Sequence, residues 1–206
     1  MTVTSEGRVG RGAWRLASVV GLSLLFGVVV AVLKGGDAGV RDSLGNVSAP
    51  WLLLPYLAGS TGRGPWRGAF FGVLASMGAL LGFYVAEAFV LDLGTHSLLT
   101  DLRLTVSAGR MYFEAGIVTG PVFGALGGLR VARRSLLTAV VVGFALIGEP
   151  LALFVWLGRE GVTAEESGMI IHYAPLWIGE MVLGALLAAV IGLRLNLRGL
   201  TSSTQQ

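Results

Sequence analysis

Long apolar runs with almost no charge inside them constrain this chain more than any other feature. Six segments stand out, at 13–33, 47–60, 66–91, 108–129, 135–157 and 169–193. A helix needs about 20 residues to cross the hydrocarbon core of a bilayer, and five of the segments meet that length. The second, with Pro50 and Pro55 inside its 14 residues, falls short and is expected to be a tilted or broken span or a re-entrant hairpin. The runs lack the period-two alternation of a membrane barrel. The expected fold class is therefore all-α: a polytopic transmembrane bundle of about six helices, the second short and proline-containing. A cytoplasmic N-terminal segment over 1–12, one membrane domain over 13–199 and a disordered cytoplasmic tail over 200–206 complete the expected organisation.

Composition supports that class. Only 13% of the residues are charged and 54% are hydrophobic, whereas a soluble domain carries roughly a quarter charged residues on its wetted surface. Most of this surface must face lipid. The net charge is +3, but the basic residues sit singly at the edges of the apolar runs and form no patch, which argues against nucleic acid. All of them except Lys34 are arginines, a usage typical of a GC-rich genome. There is no cysteine, so disulfides and thiolate chemistry are excluded. The first run follows Arg8, Arg11 and Arg15 in the manner of a signal peptide, yet it is long and ends in Lys34-Gly35-Gly36-Asp37, a poor cleavage site. It is read as a retained helix.

Orientation follows from the arginines. With the N-terminus inside, the inner flanks hold Arg8, Arg11, Arg15, Arg63, Arg67, Arg130, Arg133, Arg134, Arg194 and Arg198, and the outer side holds Lys34, Arg41, Arg103, Arg110 and Arg159. That excess obeys the positive-inside rule and places both termini in the cytoplasm. It also favours counting 47–60 as a crossing, because dropping it would scramble every later loop.

Small residues mark candidate packing faces, since close backbone approach drives helix association in lipid. Gly116, Gly120, Gly124 and Gly128 lie four apart in the fourth segment, Gly184, Ala188 and Gly192 in the sixth, and Ala13, Ala17 and Gly21 in the first. The strings GPWRGAFFG (64–72) and GPVFGALGG (120–128) share a pattern. Close packing near the cytoplasmic face is one explanation, and chance similarity in a chain with 32 glycines is the other.

Four glutamates, Glu87, Glu114, Glu149 and Glu180, fall inside the expected spans, all in the outer half of the membrane. A charge at bilayer depth costs about 2.5–3.5 kcal/mol even on lenient scales, so it is usually functional, paired or wetted. Glu180 lies one turn before Gly184 on a packing face, and Glu149 precedes Pro150, which frees a carbonyl near residue 146 and can open the helix locally. Trp51, Tyr84, Tyr112, Trp156, His172, Tyr173 and Trp177 gather at the same level. One reading is an outward pocket for a small cationic or donor-rich solute, lined by Glu149, Glu180, Trp156, Trp177, His172, Tyr173, Glu114 and Glu87. The plainer reading pairs Glu114 with Arg110, lets Glu87 snorkel, and assigns the aromatics to an interfacial belt that also claims Trp14 and Trp66. Enzyme readings find no support: there is no H-E-x-x-H or G-x-S-x-G, and His96 and His172 make no recognisable zinc motif. No cofactor or metal is expected.

GNVSAPW (45–51), GPVFGALGG (120–128) and GEPLALFVW (148–156), with the short six-span layout, resemble a family of uncharacterised small bacterial membrane proteins. That resemblance implies architecture and a multi-pass place in the plasma membrane, without a mechanism. More loosely, the chain is similar to the substrate-binding S components of energy-coupling-factor vitamin transporters, compact six-helix proteins with an outward pocket. This similarity implies that Ala13, Ala17 and Gly21 dock a coupling subunit and that Glu149, Trp156, His172, Trp177 and Glu180 sit at pocket level. The expected function is solute binding as a transport component, with a structural or regulatory membrane subunit as the alternative.

Overall fold

The computed structural model describes residues 6–34, 41, 45, 47, 49–91, 97–132, 140–141, 143–148, 150–151, 155 and 174–203. These are helices and short turns. Helix α1 runs from Glu6 to Lys34, starting before the apolar run because Glu6 and the arginines behind it are competent helix formers. Its end charges also suit the helix dipole, with an acid at the start and Lys34 in the last turn. Helix α2, Ala49–Ser60, tolerates Pro50 in its first turn, where the missing N–H has no partner to lose, and carries Pro55 in its interior.

The turn after α2 is closed tightly. Thr61 N–H donates to Ala58 O at 3.0 Å and Gly62 N–H to Gly59 O at 2.9 Å. The Thr61 hydroxyl donates to Ala58 O at 2.6 Å and the Ser60 hydroxyl to Leu57 O, also at 2.6 Å. Gly64 then reverses the chain at φ 113°, a left-handed conformation that glycine alone adopts without strain. Pro65 opens α3, Pro65–Leu91, at the first helical position that proline favours.

Helix α4, Leu98–Ala108, was not foreseen: its 11 residues fall where the sequence reading has an outer loop, because Asp101 and Arg103 interrupt the apolar run. It packs against α3. Its buried residues are polar, Asp101 and Thr105, with the Thr105 hydroxyl donating to Asp101 O at 2.7 Å. Leu98, Leu99 and Leu104 are exposed. Gly109 separates α4 from α5, Arg110–Ala132. A π-helical turn, Phe144–Gly148, and α6, Ala174–Ser203, follow. Helix α6 continues to Ser203, so the expected disordered tail is helical over 200–203, with no proline to stop it; residues 204–206 lie outside the described residues.

The single membrane domain expected over 13–199 divides into two compact units, Met1–Val32 with Leu54–Leu129, and Leu33–Leu53 with Arg130–Gln206. In the first unit, buried glycine, alanine and serine line the helix contacts alongside Val19, Val30, Leu80, Phe83 and Phe123, while many leucine and valine side chains are exposed. Gly64, Gly68 and Gly72 meet Gly128, Gly124 and Gly120 in reverse order, so α3 and α5 run antiparallel with their backbones nearly touching. A Cβ added to Gly124 would lie 2.7 Å from Gly72 Cα and 2.9 Å from its N. The two similar glycine strings are therefore the two halves of one helix contact. On the other side of α3, Gly78 faces Val20 and Ser23, Gly82 faces Leu24, and Gly27 faces Ala79 and Phe83, so α1 and α3 run parallel. Val19, Ser23, Gly27, Val30 and Ala31 form the buried stripe of α1. The expected packing stripe Ala13, Ala17 and Gly21 is instead exposed, because the recesses of α3 lie opposite Ser23 and Leu24.

Outward from these contacts point Leu22, Leu25, Val29, Val32, Phe70, Leu81, Phe89, Ile117 and Val118. Two helical stretches, Gly12–Lys34 and Pro65–Phe89, are long and apolar enough to cross a membrane, and Pro175–Val190 is a shorter apolar helix.

Candidate functional site

In the second unit the polypeptide does what Pro150 foretells. A proline cannot donate to the carbonyl four residues back, and the chain answers with the wider π turn over Phe144–Gly148, flanked by helical residues 143 and 150. Such turns re-aim side chains and often occur at functional sites. The Pro150 ring is fully buried, as are Ala145 and Leu146. Helix α6 packs on this turn: a Cβ at Gly184 would meet Leu146 Cβ at 2.6 Å and Ile147 Cγ1 at 3.0 Å, and one at Gly143 would meet Ala188 Cβ at 3.4 Å. The order is again antiparallel.

Trp177, Glu180 and Gly184 recur at helical spacing on one face of α6, and all three are buried. Trp177 is 3% exposed and Glu180 is 8% exposed. The indole Nε1 of Trp177 has no hydrogen-bond partner among the described residues. A buried donor left unmatched costs about 1–3 kcal/mol. Glu180 adds a buried carboxylate one turn further along. Together they place a donor and a carboxylate on one face of α6, three residues apart.

The remaining expected site residues divide. Glu149, Trp156, His172 and Tyr173 lie outside the described residues, although the π turn ends one residue before Glu149. Glu114 is exposed on α5 and pairs with Arg110, Nε to Oε1 at 2.7 Å, the arrangement of the plainer sequence reading. Glu87 is half-buried near the C-terminal end of α3, one turn after Tyr84. Tyr84 stacks on Phe113 at 5.3 Å between ring centres and meets Phe83 edge-on, also at 5.3 Å. Gly109 lies directly against the Tyr84 hydroxyl, which fixes the α4–α5 junction over this aromatic group. Glu87 and Glu114 belong to the first compact unit, and Trp177 with Glu180 to the second. Among the described residues no three His, Asp or Glu side chains gather as a metal site would require.

The sequence reading passed over one arrangement. A half-open groove of about 970 Å³ in the first unit is lined by Arg15, Arg63 and Arg67 with Trp66, Phe70 and Phe71. Its signal is present in the GRGPWRGAFF string, where Arg63 and Arg67 flank Trp66 ahead of Phe70 and Phe71.

Every regular element among the described residues is helical, and α1 and α3 each contain a stretch long and apolar enough to cross a membrane. The chain belongs to DUF6518, a family of unknown function whose model matches residues 7–204. No curated protein and no solved structure matches it.

Proposed function

We propose that this chain is a multi-pass protein of the bacterial plasma membrane, both termini cytoplasmic, that holds a small solute against Trp177 and Glu180. The observation that carries the reading is the buried Trp177 Nε1 without an acceptor among the described residues, one turn from the buried Glu180 carboxylate. Water inside an apolar bundle is scarce, so such a donor needs a partner that arrives with the ligand. The solute then carries an acceptor for the indole and a donor or positive charge for Glu180. A zwitterionic or amide-bearing small molecule has that chemistry. The chain has no nucleotide-binding motif, so transport would draw on a partner ATPase or an ion gradient. The exposed stripe Ala13, Ala17 and Gly21 is available for such a partner.

Several observations support the membrane part. Helix directions alternate as successive crossings would: α1 parallel to α3, α3 antiparallel to α5, and the π-turn segment antiparallel to α6. Large apolar side chains point outward while glycines fill the contacts, the inverse of a water-soluble core. The leucines of α4 are exposed over its polar buried face, which suits a helix lying at the membrane interface.

The test is native mass spectrometry of the protein purified gently from its host, beside the Trp177→Phe and Glu180→Gln variants. A small molecule retained by the wild type and lost from both variants supports the reading and gives the solute's mass. A wild type that carries only a membrane partner refutes it and favours a structural or regulatory subunit.

A further inference from the structure

The groove at the start of α3 lies far from the Trp177–Glu180 face in chemistry as well as in sequence. Three guanidinium groups surround it: Arg15 from α1, Arg63 from the turn, and Arg67 from the first turn of α3. All three are exposed. Among the described residues no carboxylate lines the groove and none of the three arginines is held in an ion pair. Phe70 and Phe71 line it, Phe70 itself exposed, and Trp66 beside them is 89% exposed. Net positive charge beside exposed apolar rings is complementary to an amphiphile with an anionic head.

The groove is also pre-formed. The two backbone and two side-chain hydrogen bonds of residues 57–62 lock the turn that carries Arg63. Gly64 at φ 113° sets the entry into α3. Gly68, one residue after Arg67, is clamped against Gly124 and Gly128. Room remains at the edge: nothing lies within 4 Å of a Cβ built on Gly12. Little ordering entropy is left for a ligand to supply, which favours binding. A planar guanidinium meets phosphate through two parallel hydrogen bonds, so arginine in place of lysine suits this headgroup.

We infer that this groove is a binding site for an anionic phospholipid of the leaflet at this end of the bundle, the phosphate held by Arg15, Arg63 and Arg67 and the acyl chains laid over Phe70 and Phe71. The inference rests on the membrane reading above but not on the Trp177–Glu180 solute. The lipid would anchor the α1–α3 contact and the α2–α3 turn together.

The experiment is native mass spectrometry of the full chain in detergent, titrated with phosphatidylglycerol or phosphatidylcholine of identical acyl chains. The wild type is expected to retain the anionic lipid roughly a hundredfold more than the neutral one, about fivefold for each of the three arginines. Each of Arg63→Gln and Arg67→Gln is expected to lower that preference roughly fivefold, the factor for one basic side chain at an anionic surface. Arg63→Lys should keep most of the charge term. Equal retention of both lipids by the wild type overturns the site, as does an unchanged preference in the double Arg63→Gln, Arg67→Gln variant with wild-type thermal stability. Should that variant unfold, the wild-type lipid comparison still decides. Displacement of the lipid by millimolar inorganic phosphate would assign the groove to a free anion and overturn the lipid source. A chain that stays soluble without detergent refutes the membrane reading itself, which is a separate result from a membrane-inserted chain with no lipid preference.

Discussion

Adding one methyl group at Gly124 tests the packing logic of the first unit directly. A Cβ there meets Gly68 O and the N and Cα of Gly72, backbone atoms of a facing helix that cannot swing aside. Overpacking a filled interface costs about 1–3 kcal/mol, and a rigid obstacle belongs at the upper end. Alanine returns about 0.5–1 kcal/mol of backbone entropy lost by glycine in a helix. The net expectation for Gly124→Ala is a loss of about 2 kcal/mol, or a Tm lower by roughly 4–8 °C in a chain of this size. Two companions calibrate the result. At Gly116 the nearest atoms are Met77 Cε at 2.8 Å and Leu80 Cδ1 at 3.0 Å, both far ends of flexible side chains, so Gly116→Ala should be nearly neutral. At Gly21 nothing lies within 4 Å, and Gly21→Ala should raise Tm by roughly 1–4 °C. Thermal unfolding of the three variants in one detergent is the assay. Equal Tm values for Gly124→Ala and Gly116→Ala would refute the claim that α3 and α5 touch backbone to backbone.

Two further outcomes follow from the topology and from the exposed ion pair. Single cysteines at Thr61 and Gly161 in this cysteine-free chain should react with an impermeant maleimide from the inside and the outside respectively; the reverse, or the same side for both, would refute the six-span orientation. Thr61 is exposed, whereas Gly62 is buried with Gly68 N 2.9 Å from any Cβ placed there, which makes Thr61 the better reporter. Glu114→Gln breaks the exposed pair with Arg110 and should cost under about 0.5 kcal/mol in thermal unfolding, with solute retention unchanged; loss of the solute would return Glu114 to the site.

Much of the architecture was legible because it is written in runs of residues. The limits of α3 were read to within a residue or so, since Pro65 opens it and the apolar run ends at Leu91. The glycine periodicity of α5 pointed to its packing face, and the two similar strings turned out to be partners. What escaped was whatever depends on a neighbour. Helix α4 hides in a polar stretch because it buries Asp101 and Thr105 against α3 and exposes its leucines. The small stripe of α1 named the wrong face, since Gly78 and Gly82 of α3 decide which side of α1 fits. At the candidate site, Glu180 on the packing face of α6 and the opening before Pro150 were readable from spacing and from proline chemistry. The convergence of Arg15 with Arg63 and Arg67 was not, because it joins two helices distant in sequence.

The packing rule itself gives the Trp177–Glu180 pair its weight. Between helices in lipid there is no hydrophobic drive, so contacts are built from small residues that let dispersion act across a short gap. The α3–α5 and α1–α3 contacts follow that rule with Gly68, Gly72, Gly78, Gly82, Gly120 and Gly124. Helix α6 follows it too at Gly184 and Ala188, against the π turn and Gly143. One turn earlier the same face carries a tryptophan and a glutamate, both buried. Neither suits close approach: each is bulky, and each brings a polar group whose burial must be offset. A local break in the rule that the other described contacts obey is the feature on which the proposed solute site rests. If the pair holds a solute as proposed, Trp177→Leu with Glu180→Ala should abolish solute retention in native mass spectrometry, and unchanged retention in that double variant would refute the site.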